Sequence, residues 1–165
     1  MTNKSNFTPD EWKVLLESTM AAGIAVTAAD PSGLWGLLQE SFAGGTEVAK
    51  VKTNAGANAL VKAVVEDFNT TEGKAARDSL KNKLKNIKPD QIKVKCIETL
   101  GQAAAIIDAK APGDAAAYKG WVQQISQHVA EAASEGGFLG FGGVKVSEAE
   151  KATLADISSA LKLAA

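Results

Sequence analysis

TPDEWKVLLESTMAAGIAVTAA, residues 8 to 29, is the stretch that decides the fold. It begins like a helix, because the Thr8 hydroxyl can accept a free amide proton and Pro9 suits a first turn. The acids Asp10 and Glu11 would face the positive end of the helix dipole. Residues then recur at intervals of three and four, which predicts one core-facing stripe: Trp12, Leu15, Leu16, Thr19, Met20, Gly23, Ile24 and Val26. We therefore expect a helix from about residue 9 to residue 29.

The remaining sequence also predicts helices, because Ala, Leu, Lys and Glu dominate and strict two-residue alternation is missing. Six further helical segments are expected, of which the second is broken around residues 54–56. Their approximate ranges are 30–44, 46–69, 70–86, 89–109, 114–134 and 147–161. No connection is long enough to separate two domains. We predict an all-α, single-domain bundle of about seven helices over residues 1–165, with residues 1–7 flexible.

Chain length, net charge and cysteine content limit the classes of protein to which this chain can belong. A chain of 165 residues can bury a substantial core without disulfides, and the formal net charge of -1 creates no overall field for nucleic acid or membrane. The single cysteine, Cys96, cannot form an intramolecular disulfide, and the first residues lack the apolar stretch of a signal peptide. No apolar run approaches the roughly 18 residues of a spanning helix. We expect a cytoplasmic protein without a transmembrane segment.

Two parts of the chain share a similar sequence pattern. Trp12 begins WKVLLESTMAAGIAVTAADPSG and Trp121 begins WVQQISQHVAEAASEGG, so each tryptophan heads an alanine-rich helix that ends in an acid and glycine. Two related halves would explain this pattern. Shared composition of alanine-rich helices would explain it equally well.

The second of these stretches carries a family resemblance. VAEAASEGG, and after a glycine-rich insertion VKVSEAEKATLADISSALKL, is similar to the closing signature of the tellurite-resistance TerB-like family. AVTAADPSG, with Glu40 ten residues after Asp30, resembles the earlier acidic turn of that family. This sequence departs from the family where Pro31 replaces a glycine and where Ser134-Glu135 replaces alanine-aspartate. The resemblance implies an all-helical protein of metal-oxyanion stress systems, with an acidic surface suspected of cation binding and no established catalytic activity.

Acidic helix-start turns are the first candidate site. If they converge in space, their carboxylates could hold Ca²⁺ or Mg²⁺, which require several oxygen ligands. The candidate ligands are Asp30, Glu40, Glu135, Glu148 and Glu150. The competing interpretation is structural, because Ser147-Glu148-Ala149-Glu150 also has the pattern of a helix-capping box.

A glycine-rich loop, residues 136–143, is the second candidate. Its spacing does not fit a phosphate-binding loop, since Gly143 and Val144 occupy the places of the expected lysine and hydroxyl residue. The apolar side chains of Phe138, Leu139 and Phe141 either return to the core or form an exposed patch that docks on a protein partner, a second copy or a membrane surface.

A lysine-rich segment, residues 74–95, is the third candidate. Eight basic residues against two acids give it a formal charge of +6, so the rest of the chain carries -7. Such a segment is usually a solvated helix face, and the alternative is contact with an anionic partner. Sequence-specific nucleic-acid recognition is not expected, because the segment has one arginine and no aromatic residue.

Catalysis has few candidate groups. Cys96 and His128 lie on separate predicted helices, and the spacings typical of a nucleophile with its base, or of a zinc site, are missing. The sequence therefore predicts a non-catalytic helical protein. We expect this protein to bind a cation or a protein partner through the acidic turns. The alternative is docking on a partner or a membrane through residues 136–143 and 74–95.

Overall fold

The computed structural model describes residues 2–29, 46–54, 56–135 and 146–163, and these ranges contain helices and no strand. Two short 3-10 turns, Lys4–Asn6 and Pro112–Asp114, precede the first and sixth helices. The α helices of the described ranges are α1 (Pro9–Ala29), α2 (Thr46–Thr53), α3 (Ala59–Asp67), α4 (Thr71–Leu84), α5 (Pro89–Lys110), α6 (Ala115–Glu135) and α7 (Glu148–Ala160). They pack in one bundle, which confirms the predicted all-α fold.

The helix boundaries follow the predicted capping signals closely. The break predicted around residues 54–56 separates α2 from α3, because Asn58 starts a new helix there. The Asn58 side-chain oxygen accepts the backbone N–H groups of Leu60 and Val61 at 2.9 and 3.2 Å. The helix predicted for residues 30–44 lies outside the described residues.

Helix α1 is the centre of the bundle. It packs most extensively against α5, and it also contacts α4, α6 and α7. Every side chain from Leu15 to Thr19 is buried, including the polar Glu17 and Ser18. The single predicted stripe was therefore too narrow, because neighbouring helices surround α1 on several sides. None of the helices in the described part of the chain is long and apolar enough to cross a lipid bilayer.

Buried polar groups connect α1 to α6. The Tyr118 hydroxyl donates to the Leu15 carbonyl at 2.7 Å, and the Ser18 hydroxyl donates to the same carbonyl at 2.8 Å. The two hydroxyls lie 2.9 Å apart. These bonds satisfy polar groups that would otherwise be costly to bury, and burial raises the pKa of the Tyr118 phenol.

Candidate functional site

Helix α4 carries the densest positive charge of the described surface, and its sequence explains how it displays that charge. Its buried residues recur at intervals of three and four, namely Gly73, Ala76, Leu80 and Leu84, so one face packs on the bundle. The helix ends where Asn86 takes a φ of 63°, a left-handed conformation that asparagine tolerates. The remaining sides of α4 are free for polar residues.

Four basic residues occupy one side of α4. Lys74, Arg77 and Lys81 recur at intervals of three and four, which places them on the same flank of the helix, and Lys85 is the residue that directly follows α4; all four are exposed. We call these four residues the basic flank. At 1.5 Å per residue the flank extends over about 16 Å.

The lysines of the basic flank differ from the basic residues around them. Lys93 pairs with Asp156 at 2.7 Å and Lys95 pairs with Glu98 at 2.8 Å. In contrast, no carboxylate of the described ranges forms an ion pair with the three flank lysines, although Asp78 follows Lys74 by one helical turn. Among the described residues, the three flank ammonium groups thus form no ion pair, although the exposed Asp78 on the same side lowers the formal charge of this surface from +4 to +3.

Arg77 has a different environment from the flank lysines. Its guanidinium Nη1 donates to the backbone carbonyl of Phe68 at 2.7 Å. This bond ties the middle of α4 to the turn that precedes the helix. Part of the guanidinium's hydrogen-bonding capacity is therefore used within the protein.

The start of α4 also lies unusually close to that turn. A Cβ atom added to Gly73 would come within 2.3 Å of the Phe68 carbonyl oxygen and 2.4 Å of the Asp67 carbonyl oxygen. Real carbon and oxygen atoms do not approach so closely, so only glycine fits this position. The contact fixes the point at which α4 leaves the turn.

On the opposite side from the basic flank, an ion pair holds α4 to α1. Lys83 Nζ lies 2.6 Å from Oε2 of Glu17, whose side chain is fully buried, whereas the Lys83 side chain is 45% exposed. Within the described part of the chain, the second carboxylate oxygen of Glu17 is buried without a hydrogen-bond partner. Together with Gly73 and the buried face, this ion pair sets the rotation of α4 and so directs the basic flank outward.

The Glu17–Lys83 pair was not predicted from the sequence. Glu17 stands outside the predicted stripe of α1, and Lys83 looked like one more solvated lysine. The available signal was a lone carboxylate within a long apolar helix, because a buried charge requires a partner. The partner's identity depends on how α4 packs against α1.

The acidic turns are only partly covered by the structure. Glu150 is buried and closes a capping box, since its Oε2 accepts the Ser147 N–H at 2.8 Å and its own N–H donates to the Ser147 hydroxyl at 3.2 Å. Glu148 is exposed and lies 2.6 Å from Lys151 Nζ. Both carboxylates are thus engaged within α7 and its cap.

The side chains of the other three candidate metal ligands lie outside the described part of the structure. Asp30 and Glu40 lie outside the described residues, and Glu135 ends α6 with its side chain outside the description. Among the residues that the structure describes, no group of three or more acidic, histidine or cysteine side chains is placed to hold a metal ion. The predicted Ca²⁺ or Mg²⁺ site stays a prediction. Phe138, Leu139 and Phe141 also lie outside the described residues, so their burial or exposure stays a prediction too.

An acidic network surrounds the amino-terminal turn, and the sequence did not single it out. Lys4 Nζ lies 2.8 Å from both Asp67 Oδ2 and Glu72 Oε1, and the Trp12 indole N–H donates to Asp67 at 2.8 Å. The Lys4 ammonium lowers the pKa of Glu72 to about 2. A shallow groove of about 450 Å³ runs beside this network between Asn3 and Glu66. The single Lys4 ammonium offsets one of the two carboxylate charges, and these contacts anchor the first residues to α3 and α4.

Cys96 and His128 occupy ordinary helical positions. Cys96 is fully buried on α5, and desolvation raises the pKa of its thiol to about 12, which disfavours the reactive thiolate. His128 Nδ1 lies 2.9 Å from the Gln124 carbonyl oxygen on its own helix. The other ring nitrogen of His128, Nε2, lies 3.4 Å from Lys50 Nζ.

Comparisons of the chain with models of protein families, with curated proteins and with solved structures give no match. The resemblance to the TerB-like family therefore stays a prediction, and any function has to be argued from the residues themselves.

Proposed function

We propose that this chain is a non-catalytic binding protein that docks on an anionic partner through the basic flank of α4. The observation that carries the proposal is the row of Lys74, Lys81 and Lys85, which are exposed along α4 and at its C-cap and form no ion pair with the described carboxylates. Unneutralised charges of one sign raise the local concentration of a partner of opposite sign.

The distribution of charge over the chain supports this orientation. Residues 74–95 carry a formal charge of +6, whereas the rest of the chain carries -7. An anionic surface would attract the segment that contains the basic flank and repel the remainder. The protein would therefore approach such a surface with α4 first.

The packing of α4 supports the proposal in a second way. Gly73 and the Glu17–Lys83 pair hold the helix at two points, on sides other than the flank. The flank is consequently presented by a helix whose position is already fixed, and binding requires little additional ordering of the backbone. Only the lysine side chains have to become ordered.

Among the routes of binding predicted from the sequence, we favour the lysine-rich face over the acidic turns. Glu148 and Glu150 are occupied by Lys151 and by the helix cap, so a cation would have to displace interactions that stabilise α7. A role in a TerB-like stress system is compatible with a protein that binds a partner, and it adds no constraint on the surface used.

Retention on immobilised heparin, used as a generic polyanion, tests the proposal. The flank variant carries Lys74→Gln, Lys81→Gln and Lys85→Gln. The control variant, with Lys13→Gln, Lys52→Gln and Lys151→Gln, has the same net charge but changes lysines on α1, α2 and α7. We expect the flank variant to elute at clearly lower salt than the control. Equal elution of the two variants would refute a docking role for the flank.

A further inference from the structure

We infer that the anionic partner of the basic flank is the surface of a lipid bilayer that contains acidic headgroups. This inference rests on the proposed function, because it names the class of partner that the same residues bind. Three observations support it: the chemistry of the lysine side chains, the absence of large apolar side chains on the flank, and the hydrogen bond that Arg77 makes to Phe68.

The chemistry of the flank fits a diffuse negative surface. Lysine ammonium groups are strongly hydrated point charges on flexible stems, so they gain from a negative potential without a fixed arrangement of acceptors. Lipid headgroups can move laterally beneath three ammonium groups that lie along about 16 Å of one helix.

A protein partner is disfavoured because the flank has no apolar centre. The larger apolar side chains of α4, Leu80 and Leu84, are buried in the bundle. In the described part of the chain the large apolar side chain left exposed is Val94, which lies on α5. Specific protein interfaces usually bury an apolar core surrounded by a polar rim. The flank could provide only the rim.

Nucleic acid is disfavoured because the described groups suited to it are already in use. Arg77, which could bind phosphate with two N–H groups, already uses one of its five N–H donors on the Phe68 carbonyl, which restricts its orientation. The aromatic side chains of the described ranges are buried, so none is available to stack on a base: Phe7, Trp12, Phe68, Tyr118 and Trp121. Duplex DNA bound through lysine charge alone is the strongest competing partner, and the experiment includes it.

The expected affinity is weak and depends on salt. Each lysine close to an anionic leaflet favours binding by about 1 kcal/mol, or roughly fivefold. Neutralising three lysines should therefore reduce partition into the membrane roughly 100-fold. Screening in about 1 M salt, where the Debye length falls to about 3 Å, should abolish binding.

Co-sedimentation with vesicles, with binding of duplex DNA measured in parallel for the same variants, tests the inference on the full chain. We expect the protein to sediment with vesicles that contain phosphatidylglycerol and phosphatidylcholine, and not with vesicles of phosphatidylcholine alone. The flank variant should lose this partition while the control variant retains it. Circular dichroism melting of both variants verifies that each is folded.

Three outcomes would overturn the inference. It is wrong if the flank and control variants partition equally into anionic vesicles, or if neither the protein nor its control binds them. It is also wrong if duplex DNA binds through the flank and anionic vesicles do not. Flank-dependent heparin retention without vesicle binding would remove the membrane alone and leave the proposed function intact. If neither heparin retention nor vesicle binding depended on the flank, both the membrane inference and the proposed function would be refuted.

Discussion

Glu17 and Lys83 join the centre of the bundle to its most basic helix. The carboxylate of Glu17 is fully buried on α1, and the ammonium of Lys83 reaches it from α4 at 2.6 Å. One Glu17 oxygen has this partner, and the other is buried with no hydrogen-bond partner among the described residues. The stability of the protein should consequently depend on Lys83, although the Lys83 side chain is partly exposed.

Replacing Lys83 should therefore destabilise the protein far more than replacing a neighbouring lysine. Lys83→Ala leaves a buried carboxylate without its counter-charge, and we expect the free energy of unfolding to fall by about 3 kcal/mol. Lys81→Ala, on the exposed flank of the same helix, should change it by less than about 0.5 kcal/mol. Urea denaturation of both variants measures the difference, and equal midpoints would show that the ion pair does not hold α4.

Gly73 and Gly120 provide a matched test of how α4 begins. Gly73→Ala would place a methyl group against the Asp67 and Phe68 carbonyls, so we expect a loss of about 1 to 3 kcal/mol. Gly120→Ala, within α6, has open space around its Cβ and should stabilise the protein by up to about 1 kcal/mol through helix propensity. Thermal denaturation of the two variants checks the opposite signs. A stabilising alanine at residue 73 would mean that α4 starts farther from the turn.

Alkaline pH should weaken the fold through Cys96. Its pKa rises from 9.0 to about 12 on burial, so above pH 9 the unfolded chain loses a proton that the folded chain keeps. The contribution is intact below pH 9 and is lost progressively as the pH rises towards 12, by up to about 1.4 kcal/mol per pH unit. The raised pKa of Tyr118 acts in the same direction at higher pH.

Urea denaturation between pH 9 and pH 10 isolates the cysteine, because Tyr118 contributes little there. Cys96→Ala should be less stable at pH 8 because it leaves a small cavity, yet its stability should depend less on pH in this interval. Parallel pH dependences for the variant and the parent chain would contradict the assignment to Cys96.

Local signals predicted the helices because they act over a few residues. Thr8 and Ser147 each stand directly before a helix start, where their side chains can accept free backbone amides, whereas Asn58 caps a helix where only a break was predicted. Burial around α1 was harder to predict. A stripe at intervals of three and four describes a helix on the surface of a core, whereas α1 lies among several helices and buries Glu17 and Ser18 as well.

The sequence predicted which segment contains the candidate site, but it did not predict which of its lysines form the exposed surface. The excess of basic residues over 74–95 is visible in the sequence. Which lysines are already paired is not, because Glu17 and Asp156 are 66 and 63 residues from their partners, Lys83 and Lys93. Tertiary packing therefore separates the flank lysines from those that stabilise the bundle.

Backbone amide chemical-shift mapping during titration with a short heparin oligosaccharide tests the central claim most directly. If the basic flank is the docking surface, the largest shifts should fall in α4 and the residues that follow it, from Lys74 to Lys85, and the flank variant should show none of them at the same concentration. Shifts distributed equally over the lysines of all helices, or centred on α7, would contradict the account.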